Sequence, residues 1–269
     1  MQRNLMMVVY PRKGGAWRRG VEHIVARASL FNGRKSVAIG IDDSCDDPDE
    51  VAEAFGSLRP EISIAQNTEL QEVQQFLWLL ESTIHEPGIT LYCHAKGATH
   101  APGSASHLWC DAMAEACLDY PRFVQWSLGR KPTCGAFRST QAIGWSASPW
   151  HFAGTWWWVR NDAIQSRNWG DFEQQLWGTE SYPGRHFGLH ESTCLLYDQA
   201  QTAHLYDGDY WRRYIGPSIG SWRSRLRACG LQPLCEDPPT LAEYRRITAW
   251  PGVPPAPPPD AAATPSQTH

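Results

Sequence analysis

The chain opens on short apolar runs, each followed by a segment whose apolar positions recur at helical spacing. "NLMMVVYP" is a run of strand length closed by a proline, and behind it Trp17, Val21, Ile24, Val25 and Ala28 share one side of a helix that gives out at Asn32-Gly33. "RKSVAIGIDD" repeats the strand signal, and "DPDEVAEAFGSL" has an acidic helix start with Val51, Ala54 and Phe55 on one side. A third run, "EISIAQ", leads into "NTELQEVQQFLWLLESTIH", where Asn67 is placed to cap a helix and Leu70, Val73, Phe76, Leu77 and Leu80 form its stripe. "GITLYCHAKG" is a fourth strand. Strands separated by helices in this way predict an α/β domain on a largely parallel sheet.

Beyond about residue 100 the alternation stops. "SASHLWCDAMAEACLDY" has helical spacing, but the chain after it is aromatic-rich and broken by Gly and Pro, which predicts loops and mixed strands laid against the first half without a linker. The expected organisation is a single domain over residues 1–248, with halves of about 1–100 and 101–248, and a disordered Pro/Ala-rich tail over 249–269.

Composition narrows the possible partners. A net charge of −4 over 269 residues argues against a nucleic-acid binder, although "YWRRYIGPSIGSWRSRLR" is locally basic; such a run is more often a solvated helix face. Eight scattered cysteines with no C-x-x-C spacing predict a reduced, cytoplasmic protein. "LMMVVY" is too short for a signal-peptide core or a membrane span, so it reads as a first buried strand. Tryptophan is over-used, with 14 residues, and Trp156, Trp157 and Trp158 stand side by side. On a strand, alternation sends Trp156 and Trp158 to one face and Trp157 to the other.

Ligands of open parallel sheets bind outside the carboxyl ends of the strands. Those positions here are Tyr10, Asp42-Asp43, Gln66-Asn67 and the His94-Ala95-Lys96-Gly97 turn. Taken in order, "YCHAKG", "HFAGTWWWVRND" and "WGTESYPGRHFG" resemble a group of glycosyltransferases with a GT-A type nucleotide-diphospho-sugar fold. Its members carry a strand ending in Y-x-H-x-K-G and a later "GNFWW"-like segment followed by an acidic residue. The resemblance spans roughly residues 5 to 200. It implies a GT-A-like, mixed and largely parallel sheet flanked by helices, and transfer of a sugar from a nucleotide-diphosphate donor to a saccharide or other hydroxyl acceptor.

The resemblance also implies roles. Tyr10, Asp42, Asp43 and Asn67 would hold the nucleotide. His94 and Lys96 would address the diphosphate, and Gly154, Thr155, Trp156 and Arg185 would border the sugar. Glu180 would take the acceptor proton, with Glu191 and Asp171 as alternatives. Similar enzymes commonly hold Mn²⁺ or Mg²⁺ through a D-x-D pair where this chain has His94-Ala95-Lys96; the lysine could offset the departing diphosphate itself, so no metal ligand is assigned. Each role has a plainer counterpart. Lys96 also reads as a solvated turn residue, Asp42-Asp43 as a helix start, Asn67 as a cap, Arg185 as a partner of Glu180, and the tryptophans as core.

Three lookalikes are set aside. Asp207-Gly208-Asp209 reads as a turn rather than a metal pair, "HFGLHE" is broken by Gly188, and His107, Cys110 and Cys117 read as helix-face residues. The rival to an enzyme is a non-catalytic carbohydrate-binding protein that keeps the fold. A nucleotidyltransferase is disfavoured, because "PRKGGAW" is a weak phosphate loop.

Overall fold

A computed structural model describes residues 1–98, 100, 103–141, 143–144, 146–198 and 200–234. The tail expected over 249–269 lies outside the described residues, as does Cys235. The first half is the predicted alternation: β1 (Arg3–Val9), α1 (Arg18–Val25), β2 (Lys35–Ile41), α2 (Pro48–Ala54), β3 (Glu61–Gln66), α3 (Glu72–Ile84) and β4 (Ile89–His94). After it come α4 (Ala105–Ala114), α5 (Pro121–Leu128), β5 (Thr133–Ser139), β6 (His151–Phe152), β7 (Trp157–Arg160) and α6 (Asn161–Gln165). The order closes with α7 (Gly178–His186), β8 (Ser192–Asp198), α8 (Gly208–Tyr210) and α9 (Gly216–Ala228).

Among the described residues eight strands make one sheet in the order β3-β2-β1-β4-β7-β5-β6, with β8 pairing β5. Strands β1 to β4 are mutually parallel, whereas β7 runs antiparallel to both β4 and β5. The fold is thus mixed α/β, with a mostly parallel central sheet flanked by helices. The chain order reverses between β1 and β4, which opens a crevice at the carboxyl ends of those strands.

Period-two alternation sorts the core. Leu5, Met7 and Val9 of β1 pack on one face with Trp17, Ile24 and Phe55 of the first two helical segments. Met6 and Val8 pack on the other with Phe76, Leu80 and Tyr182 of α3 and α7. The tryptophan run divides as the alternation predicts: Trp156 and Trp158 belong to the first layer, Trp157 to the second. Both faces are core, and all three side chains are at most 1% exposed. One boundary differs from the sequence-based expectation. Helix α3 starts at Glu72 after Gln71, not at Asn67, because the Asn67 amide instead donates to Asp42 (3.2 Å). Asp207 caps α8 through the amides of Asp209 and Tyr210, the turn role expected of it. Among the described residues no helix is long and apolar enough to cross a membrane, and seven cysteines are free.

Candidate active site

A cleft of ≈ 260 Å³ sits over the ends of β1 to β4. Tyr10, Gly40 and Asn67 line one end, His94 to Ala98 the floor, and Glu72, Glu180 and Tyr206 the opposite wall. The end lined by Tyr10 and Asn67 is organised from behind by Asp42. That carboxylate accepts from Tyr10 Oη (2.6 Å), the Ser44 hydroxyl (2.6 Å) and amide (2.8 Å), and Asn67 Nδ2 (3.2 Å). The Ser44 and Tyr10 hydroxyls hold it well below the usual carboxylate range. Asp42 therefore orients two cleft residues without lining the cleft itself. Asp43 also lies outside it, and its backbone carbonyl accepts from Lys13 Nζ (2.9 Å).

At the floor the chain leaves β4 and turns at Gly97. Both its φ of +88° and its approach to His107, whose ring a β-carbon would meet at 2.8 Å, require glycine. The turn carries Lys96 back beneath the cleft. Its ammonium lies 4.0 Å from the Trp109 ring centre and 4.0 Å from Glu180 Oε1, and it donates to Tyr206 Oη (3.2 Å). Burial disfavours this charge, but Glu180 and Tyr206 outweigh burial and raise the Lys96 pKa. Glu180, 3% exposed, responds oppositely: burial pushes it up to about 7 against the pull of Lys96. Its Oε1 accepts from the Gly154 amide (3.1 Å), and its Oε2 is buried without a protein partner. Burial and Lys96 push His94 well down, so its ring is neutral at pH 7. Thr155 Oγ1 meets its Nδ1 at 2.8 Å, and Glu72 Oε1 lies 3.6 Å away.

The segment expected to border the sugar lies one layer deeper. Gly154, Thr155 and Trp156 are buried and do not line the cleft. Each instead holds a residue that does or its backbone: Gly154 the Glu180 carboxylate, Thr155 the His94 ring, and Trp156 Nε1 the His94 carbonyl (3.1 Å). Trp157 Nε1 continues the pattern by donating to the Thr179 carbonyl (3.2 Å), next to Glu180, and Trp158 Nε1 donates to the Cys117 carbonyl (2.9 Å). The physical reason is burial: an indole N–H removed from water needs an acceptor, and the nearby strand and helix ends supply carbonyls. Arg185 is also outside the cleft, held by Asp171 (2.7 Å) and Glu173 (2.9 Å) rather than by Glu180.

The cleft gains residues that the sequence did not single out. Leu176, Trp177 and Tyr206 are large, 40 to 47% exposed, and gathered at its rim. Glu72 reaches it from the first turn of α3. Backbone strain gathers here too. Of four non-glycine residues at positive φ among the described residues, Gln71 and Trp177 line the cleft and Thr155 touches His94; such conformations cost about 1–3 kcal/mol each and cluster at functional sites. Glu72 was legible only as a residue just past the end of β3, and Trp177 only as a neighbour of Glu180.

A divalent cation would need convergent donors. Among the described residues no three His, Cys, Asp or Glu side chains are grouped to hold one, and the positive charge beside Glu180 is the Lys96 ammonium itself.

No protein-family model matches the sequence, and no curated protein does either. Solved structures are similar at low identity. One is TarS of S. aureus, residues 1–349, with 11% identity over 93% of this chain and 70% of that one, TM-score 0.45. Another, from Desulfovibrio desulfuricans G20 and described as a nucleotide-diphospho-sugar transferase, has 10% identity over 85% and 96% of the two chains, TM-score 0.38. A third is glucosyl-3-phosphoglycerate synthase of Mycobacterium tuberculosis, solved with Mn²⁺, UDP and glucosyl-3-phosphoglycerate, with 12% identity over 82% and 80%, TM-score 0.42.

Proposed function

We propose that this protein transfers a glycosyl group from a nucleotide-diphosphate donor to a hydroxyl acceptor. The observation that carries the reading is the buried pair of Lys96 and Glu180, 4.0 Å apart at the strand ends where the sheet order reverses. Tyr10 and Asn67, oriented by Asp42, receive the nucleoside. The Lys96 ammonium faces the diphosphate and stabilises the charge that grows on it as the bond to the sugar breaks. Glu180 receives the acceptor proton; the acceptor oxygen bonds to the anomeric carbon, and the anomeric carbon–oxygen bond breaks to release the nucleoside diphosphate. A carboxylate with a pKa of about 7 is suited to that exchange near neutral pH. The exposed rings of Trp177 and Tyr206 offer flat apolar faces to the sugar or acceptor.

The test is Glu180→Gln assayed against UDP-, GDP-, CMP- and dTDP-sugars. Donor binding is expected to survive while both transfer and donor hydrolysis are lost. Wild-type protein that binds sugars yet releases nucleotide from no donor would overturn the reading in favour of a carbohydrate-binding protein.

A further inference from the structure

Glu72 has no part in the transfer step above, yet it is placed as Glu180 is. Helices α3 and α7 pack side by side through Phe76 and Tyr182, with ring centres 4.8 Å apart. Each starts behind a non-glycine residue at positive φ, Gln71 (49°) and Trp177 (69°), and each brings a first-turn glutamate to the cleft. The Glu72 and Glu180 side chains are 18% and 4% exposed. Lys96 is the ammonium set against both. With both glutamates ionised, this wall carries one excess negative charge, and a diphosphate diester adds two more. Such repulsion is strong where little water screens it, and taking up a proton relieves it.

The other groups facing the pair are Tyr92 and His94 on β4, Lys96 and His100 beyond it, and Tyr206 across the cleft. Burial raises Tyr92 and lowers His94 and His100, so between pH 7.5 and 8.5 those three stay neutral, while Lys96 stays charged. Proton exchange in that range falls to the glutamates: burial raises both, Glu180 to about 7.

We propose that Glu72 sets the charge the cleft accepts, so that a nucleotide diphosphate binds together with a proton that settles on the Glu72–Glu180 pair. The inference rests on the transferase reading of this site. It makes Glu72 a specificity-determining residue for an anionic ligand.

UDP-glucose, GDP-mannose, dTDP-glucose and ADP-ribose are suitable probes, because their diphosphate diesters keep a constant charge across this range. Titration calorimetry in two buffers of different ionisation enthalpy counts the protons. About one proton is expected to be taken up per ligand at pH 8.5, with affinity falling about tenfold per pH unit above 7. Glu72→Gln is expected to bind roughly tenfold tighter than wild type at pH 8.5, with a flatter pH profile. In Glu180→Gln, where Glu72 is the remaining carboxylate, proton uptake is expected to persist. Binding of any probe without proton uptake in the wild type, or loss of all uptake in Glu180→Gln, overturns this inference and leaves the transferase reading standing. Failure of all four probes to bind at any pH overturns both.

Discussion

Glu180 is buried, and burial pushes its pKa up to about 7. As the proposed base it must be ionised, so kcat/KM for transfer is expected to fall about tenfold per pH unit below a pKa of about 7 and, where donor binding takes up a proton, to fall again above it. The stability effect has the opposite sense. Its folded-state pKa lies above the unfolded value of 4.5, so between those two points the unfolded chain binds fewer protons. The folded form is therefore fully favoured below 4.5 and progressively disfavoured as pH rises through 7, by roughly 3 kcal/mol in total. Glu180→Gln removes that burden, and its Tm should exceed that of wild type by several degrees at pH 8 but by little at pH 5. Equal shifts at both pH values would show that buried charge is not the cause. Lys96 acts on the same group from the other side. Lys96→Met removes a charge-assisted contact worth about 1.5–3 kcal/mol, so donor affinity should drop roughly 10- to 100-fold. Because Lys96 also draws the Glu180 pKa down, the acid limb of the activity profile should move to higher pH in this variant. An unmoved limb would mean that the two side chains do not act as a pair.

At the scale of elements, residues 154–158 tie the site together. Gly154 and Thr155 fix two cleft side chains, and Trp156 and Trp157 fix the carbonyls at the end of β4 and in the first turn of α7. Trp156→Phe keeps an aromatic ring and strips the donor, leaving the buried His94 carbonyl without that bond. The expected cost is about 1–3 kcal/mol of stability, with a fall in kcat larger than any change in donor KM, because the end of β4 loosens under Lys96. Unchanged kcat in a destabilised variant would reduce the run to core packing. The period of the sequence made half of this legible: strand spacing placed β1 to β4, their carboxyl ends pointed to Tyr10, Asn67, His94 and Lys96, and alternation divided the tryptophans correctly. What it hid was depth. Nothing local to "GTWWW" distinguishes a ring that borders a ligand from a ring one layer below, since that depends on β4 and β5 closing over β7 on either side. Glu72, Trp177 and Tyr206 were hidden for a related reason. They meet only because α3, α7 and the turn at 202–206 converge from distant parts of the chain.

At the scale of the whole molecule, charge placement bears on what the protein needs in order to work. Net charge is −4, and two of the glutamates behind that excess stand in the cleft wall, so the proposed anionic donor would find attraction there chiefly in Lys96. A divalent cation could supply the same attraction, but among the described residues no three His, Cys, Asp or Glu side chains are grouped to hold one. Lys96 needs no such cage: its charge is tethered by the turn at Gly97, packed over Trp109 and hydrogen-bonded to Tyr206. Donor binding should therefore be independent of metal. Because ligand binding raises stability by mass action, a donor at about 100 times its Kd should add about 2.7 kcal/mol, or roughly 5–10 °C in Tm for a chain of this size. That shift should be the same with EDTA as with Mn²⁺, and cut by about half or more with either in Lys96→Met. A shift that appears only when Mn²⁺ is added would assign the diphosphate to a metal, and would make Glu72 and Glu180 its nearest available oxygen donors rather than a proton-sharing pair.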